Sequence, residues 1–157
     1  MSEHETFMRR AIELAREGMV SAGGGPFGSV VVRDGRIIGE GSNRVTASND
    51  PTAHAEIVAI RDACKNVGSF KLDGCVIYAS CEPCPMCLGA IYWSRAERVY
   101  IACTRDDAAN AGFDDAFIYD ELNKDLKERK VRIDVLFRDK GIKVFQEWIA
   151  DPNKVEY

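Results

Sequence analysis

Two rhythms of apolar and polar positions alternate along this chain, one of helical spacing and one of short apolar runs. Phe7, Ala11, Leu14 and Ala15 recur at helical intervals, so residues 4–18 are predicted to form a helix that ends at Gly18. Residues 29–33 and 36–41 flank Asp34-Gly35, the two-residue turn preferred in antiparallel hairpins. A polar loop opening at Gly41-Ser42-Asn43-Arg44 leads to Asp50-Pro51. There the acid is expected to cap, and the proline to begin, a helix that carries Ile57, Val58, Ile60 and Arg61 on to about Val67. A short buried strand (76–80), a further helix (85–93) and another strand (98–102) follow. The last third is less regular. Residues 131–137 read as an apolar strand, 142–149 as a terminal helix and 151–157 as a tail. The basic cluster from Lys124 to Arg132 is interleaved with Asp125 and Glu128 and reads as a solvated helix face. Strand and helix in alternation predict an α/β fold, a sheet covered on both faces.

Length and composition narrow this further. A chain of 157 residues without internal repeat or linker is expected to be one domain (1–157), burying roughly two-thirds of its unfolded surface. Apolar and charged fractions of 46% and 29% are ordinary for a globular enzyme. The formal charge of -4 argues against a nucleic acid partner, since phosphate binding is driven by clustered Lys and Arg. No apolar run approaches a membrane span, and Met1-Ser2-Glu3-His4-Glu5 lacks the basic region and apolar core of a signal peptide. A cytoplasmic location is therefore expected. In that compartment six cysteines are expected to be thiols or metal ligands, with no disulfide framework. Cys64, Cys75 and Cys103 sit within apolar runs and read as small buried hydrophobes.

The candidate chemistry lies in two pieces. The first is Asp50-Pro51-Thr52-Ala53-His54-Ala55-Glu56, and the second is Cys81-Glu82-Pro83-Cys84-Pro85-Met86-Cys87. His54, Cys84 and Cys87 offer one nitrogen and two sulfurs, the ligand types of Zn²⁺, and catalytic zinc sites keep a fourth corner for water. Cys84 and Cys87, at i and i+3, lie on the same side of a helical turn, and a helix N-terminus favours the thiolates a metal needs. His54 and Glu56 are two residues apart and would point to opposite sides of a helix. Both serve one site only at a helix start. Two helix N-termini are therefore expected to face each other across a zinc ion, with Glu56 unligated and able to act as general base and then general acid. A closed structural zinc site, and with it a zinc-stabilised binding module, is the competing reading. It needs a fourth protein ligand: His4 sits too far off in the first helix, and Cys81 is the one plausible donor. The run Gly23-Gly24-Gly25-Pro26-Phe27-Gly28 lacks the Gly-Lys-Ser/Thr ending of a phosphate loop. It is either a flexible turn or a loop that lets Phe27 approach a flat ligand.

These motifs carry a resemblance. His-x-Glu followed by Pro-Cys-x-x-Cys is the spelling of the zinc-dependent base deaminases. The chain resembles the cytidine deaminase superfamily, in the branch that acts on free bases and on tRNA, and within it the bacterial guanine deaminases. The likeness runs through Gly24 to Gly28, Ser48 to Glu56, Ser80 to Trp93 and Ala111-Gly112-Phe113-Asp114-Asp115. It implies a three-layer α/β/α fold around a mixed five-stranded sheet, with zinc held by His54, Cys84 and Cys87. The activity it implies is hydrolytic deamination of guanine to xanthine and ammonia, with Glu56 moving the protons. It also implies that Asp115, or Asp114 in its place, faces the base, and that Asp115 assists the shuttle. Asn43 would hydrogen-bond the ring edge, Phe27 and His54 would flank its plane, and Ala55 and Trp93 would border the pocket. A homodimer is implied as well, with the C-terminal segment (140–157) exchanged so that Tyr157 covers the neighbouring site. Adenosine in tRNA, guanosine, ammeline and cytosine remain open as substrates at this point.

Overall fold

The computed structural model describes residues 2–157; Met1, where the stretch compared above with a signal peptide begins, lies outside the described residues. In chain order the elements are α1 (Glu3–Ala22), β1 (Gly28–Arg33), β2 (Arg36–Ser42), α2 (Val45–Ser48), α3 (Ala55–Val67), β3 (Val76–Cys81), α4 (Pro85–Ser94), β4 (Arg98–Cys103), α5 (Arg105–Asn110), α6 (Ala116–Leu122) and α7 (Arg138–Ala150). They fall into two compact units, Met1–Asp115 and Ala116–Tyr157.

The first unit holds a sheet in the order β2-β1-β3-β4. β1 is antiparallel to β2 and to β3, while β3 and β4 run parallel, so the sheet is mixed. Asp34 and Gly35 both adopt positive φ (50° and 70°), as a tight hairpin turn requires. Because strand side chains alternate between faces, the sheet supports two cores. Val30, Val32 and Tyr78 pack beneath Phe7, Ala11 and Leu14 of α1. Val31 and Ile77 point the other way, onto Ala59 and Ala63 of α3 and Ile91 of α4. The three-layer arrangement follows, as the alternation of strand and helix predicted.

Four details depart from expectation. The sheet has four strands among the described residues, where five were expected. Residues 131–137 are apolar enough for a strand but pair with no neighbour, and Val131, Val135, Leu136 and Phe137 are exposed. The basic cluster at 124–132 forms turns and bends in place of a helix face. α1 continues past Gly18 to a left-handed Gly23, its start closed by a capping box between Ser2 and Glu5. Most consequential for the site, α3 begins four residues after Pro51. Asp50 spends its carboxylate on the backbone and hydroxyl of Thr52 (2.8 and 2.7 Å), so His54 becomes the cap residue.

The second unit contains α6 and α7, neither of which fully buries a side chain. Val144, Phe145 and Ile149 of α7 are exposed.

Candidate metal centre and pocket

The chemistry gathers where α3 and α4 begin. His54 caps α3 in extended conformation and Glu56 follows in the first turn. Cys84 caps α4, Pro85 fills its first position, and Cys87 lies in its first turn. Both Cys84 Sγ and Cys87 Sγ lie 3.5 Å from His54 Nδ1. Tetrahedral coordination, with Zn–S of about 2.3 Å and Zn–N of about 2.05 Å, puts its S···N edges at ~3.6 Å. The three donor atoms therefore already stand at the spacing one tetrahedral ion would impose. Among the described residues this is the cluster with metal-holding geometry, and its three ligand atoms lie within 4.8 Å of one another. Cys81 is not part of it: its thiol donates to the Thr104 carbonyl at 3.4 Å, and burial pushes it up to about 11. The closed four-ligand reading loses its only candidate fourth donor. His4 is elsewhere too, its Nδ1 2.7 Å from the Tyr78 hydroxyl on the α1 face.

Electrostatics at the cluster follow from the shared proton of two adjacent thiols. A hydrogen bond from Cys87, with help from His54, draws the Cys84 thiol down to about 4. The same bond, with burial, holds the Cys87 thiol well above its ordinary range. The Cys84 thiolate in turn raises His54. A cation in this position takes the place of that proton and leaves both sulfurs as thiolates. Glu56 is 8% exposed, with Oε2 3.4 Å from Cys87 Sγ, and burial raises its carboxyl above the usual range. A buried carboxyl that prefers its proton, beside a metal position it does not ligate, is suited to taking and returning one.

The Gly-rich loop and the end of β2 are hydrogen-bonded into one wall. Asn43, 8% exposed, accepts hydrogen bonds from Gly25 N and Val45 N (both 3.2 Å). The next residue, Arg44, bonds through its amide to the Ala53 carbonyl (2.9 Å), tying this wall to the His54 stretch. Ala55 is buried at the start of α3. Phe27 meets Phe113 edge-to-face, with ring centres 4.9 Å apart and planes at 86°. That contact ties Phe113 to the Gly-rich loop. Asp115 is half-buried, and burial and the nearby Cys84 sulfur both raise its carboxyl, whereas Asp114 is exposed.

Not every expected residue converges there. Trp93 is 64% exposed and sits six residues beyond Cys87 on α4, about 9 Å along the axis. Tyr157, expected to cover a neighbouring subunit's site and not that of its own chain, lies in the second unit. Cys103, expected to be buried, is exposed on β4, while Cys75 is buried and Cys64 packs at the core's edge. Phe113 was the residue left without a role. Its only sequence signal was its place two positions before Asp115.

Residues 1–103 match the family described as the cytidine and deoxycytidylate deaminase zinc-binding region, and the chain belongs to that family. It is similar to the guanine deaminase of Bacillus subtilis, at 55% identity over 154 residues, which span 98% of this chain and 99% of that protein. The X-ray structure of guanine deaminase from that organism superimposes with a TM-score of 0.96, covering 100% of this chain and 99% of the other. A tRNA-specific adenosine deaminase of Haemophilus influenzae is 47% identical over 96 residues, 60% of this chain and 55% of that one.

Proposed function

We propose that this chain is a zinc-dependent guanine deaminase, converting guanine and water to xanthine and ammonia. The observation that carries the reading is the preformed His54–Cys84–Cys87 triangle with the buried, unligated Glu56 beside it. Similarity to a guanine deaminase over nearly the whole of both chains supports the choice of substrate. The donor set suits zinc, since one imidazole and two thiolates at tetrahedral spacing favour it over oxygen-seeking cations. Bound in such a site, zinc brings the acidity of a water close to neutral pH.

The residues of the chain do the rest. Phe27 and the His54 ring hold the base flat between them. Asn43 and Asp115 grip its edges, Asp115 as an ionised acceptor for the ring N–H and amino group of guanine. Ala55 forms the floor beside Glu56; Asp114 and Trp93 stand farther out, at the rim. Glu56 removes a proton from the attacking water as its oxygen bonds to the carbon that carries the amino group. It passes that proton to the ring nitrogen that takes up the electrons of the C=N bond; the proton of the newly added hydroxyl then travels by way of Glu56, with Asp115 assisting, to the departing amino nitrogen as the C–N bond breaks and the carbonyl forms. Burial excludes bulk water from the exchange and keeps Glu56 basic enough to take the proton.

The functional unit is a homodimer in which the second unit, including 140–157, is exchanged and Tyr157 closes the partner's pocket. Its support is exposed apolar surface: Tyr92 on α4, Ile101 on β4, and Val131, Leu136 and Phe145 in the second unit. Among the described residues no helix is long and apolar enough to cross a membrane, and a cytoplasmic site of action suits six free thiols. An ammonia-release assay over guanine, guanosine, ammeline, cytosine and an anticodon stem-loop tests the substrate. Guanine is expected to be turned over fastest; turnover of the RNA alone would overturn the assignment.

A further inference from the structure

A carboxamide offers an acceptor at one end and two donors at the other, and which end faces a ligand decides what it can recognise. At Asn43 the fold settles this. Its Oδ1 receives two backbone N–H groups, from Gly25 and Val45, each at 3.2 Å. An amide nitrogen cannot accept either bond, so the oxygen must point at the loop, where both its lone pairs are used. Among the described residues Nδ2 has no hydrogen-bond partner, and it is not sealed off as the Ser29 hydroxyl is. The backbone of Asn43 is fixed as firmly. Its N–H donates to the Phe27 carbonyl at 3.0 Å. Its carbonyl lies so close to Gly24 that a Cβ there would stand 2.1 Å from the oxygen. Only glycine at 24 permits this approach.

We propose that the Gly24-Gly25 turn is a positioning element for substrate choice. It locks Asn43 with only its amide N–H donors facing the pocket, so this wall selects a base edge bearing a hydrogen-bond acceptor. Asp115 on the other side selects donors, and guanine presents both kinds. The inference rests on the purine-pocket reading above and names what one wall of that pocket demands. The positioning residues are Gly24 and Gly25; Asn43 is the group that touches the base.

The test is a cycle crossing Asn43→Asp with analogues that each remove or weaken one acceptor of guanine: 3-deazaguanine, 7-deazaguanine and 6-thioguanine. An aspartate keeps both backbone bonds, so zinc content and melting temperature should stay at wild-type values, but it turns an acceptor toward the base. The kcat/KM for guanine should then fall about a hundredfold, from a lost donor and a repelled lone pair. For one analogue, the one that removes or weakens the acceptor that Asn43 reads, the same substitution should cost only a few-fold in turnover or inhibition constant. Equal penalties for guanine and all three analogues would overturn the proposal while leaving the substrate assignment standing. A wild-type enzyme neither turning over guanine nor inhibited by the analogues would instead sink the purine reading beneath it. Gly24→Ala, with Asn43 intact, should also lower kcat/KM for guanine, and spare that same analogue, with zinc retained; an unaltered ratio of guanine to that analogue would show that the turn does not position Asn43.

Discussion

Gly41→Ala should injure stability and catalysis together, because α3 rests on β2 at that glycine. An added Cβ would stand 2.3 Å from the Ala55 carbonyl oxygen and 2.5 Å from the Ala59 nitrogen, about 1 Å short of ordinary van der Waals contact. Both are helix backbone, which cannot swing aside as a side chain can. Either the helix retreats or β2 bends away. Overpacking of this kind costs about 2–3 kcal/mol, which in a chain this long lowers the melting temperature by roughly 4–12 °C. The first turn of α3 holds His54 and Glu56, while Cys84 and Cys87 stay on α4. Metal ligands tolerate displacements of only about 0.2 Å, and a misplacement near 1 Å costs on the order of a hundredfold in rate. Calorimetry, zinc competition against a chromophoric chelator and guanine kinetics measure the three consequences. A variant with wild-type melting temperature, zinc affinity and kcat/KM would refute the claim that this contact sets the position of the site.

Ser29 is fully buried and its hydroxyl has no hydrogen-bond partner among the described residues, so Ser29→Ala should stabilise the protein by about 1 kcal/mol in urea unfolding; destabilisation would mean the hydroxyl is satisfied after all. Arg10 grips both carboxylate oxygens of Glu40 (2.8 and 2.9 Å) and holds that carboxyl below its usual range. A depressed folded value contributes stability above the unfolded value of about 4.3, lost as pH falls through the folded one. Glu40→Gln should therefore cost about 0.5–1 kcal/mol at pH 7, discounted for partial exposure, and progressively less as pH falls below the unfolded value and through the folded one; a gap that widens in acid would contradict this. Deleting residues 151–157 should lower turnover far more than zinc content, and full turnover in the shortened chain would remove Tyr157 from the pocket.

The sequence made the first two-thirds of the fold legible because its signals there are local. The Asp34-Gly35 turn fixes a hairpin, and apolar runs of strand length alternate with helical periods. The candidate metal cluster could be read for the same reason: Cys84 and Cys87 are neighbours on one turn, and His54 and Glu56 could share a site only at a helix start. The exact start was misjudged because Asp50 has two uses for its carboxylate, and the nearby Thr52 wins over a distant helix amide. The 131–137 segment shows the limit of patterning. Its residues favour a strand, but a strand exists only with a partner, and none is available within the described chain. Phe113 was illegible because its partner, Phe27, lies far away in sequence. Cys103 sits at a strand edge, where an apolar run guarantees no burial.

The proposed deamination depends on Glu56 moving protons beside a metal it does not hold. The most direct measurement is zinc content and guanine turnover on the same preparation of Glu56→Gln. Bound zinc should match the wild type while kcat falls by about three orders of magnitude. Turnover near the wild-type rate, or loss of zinc together with activity, would contradict it.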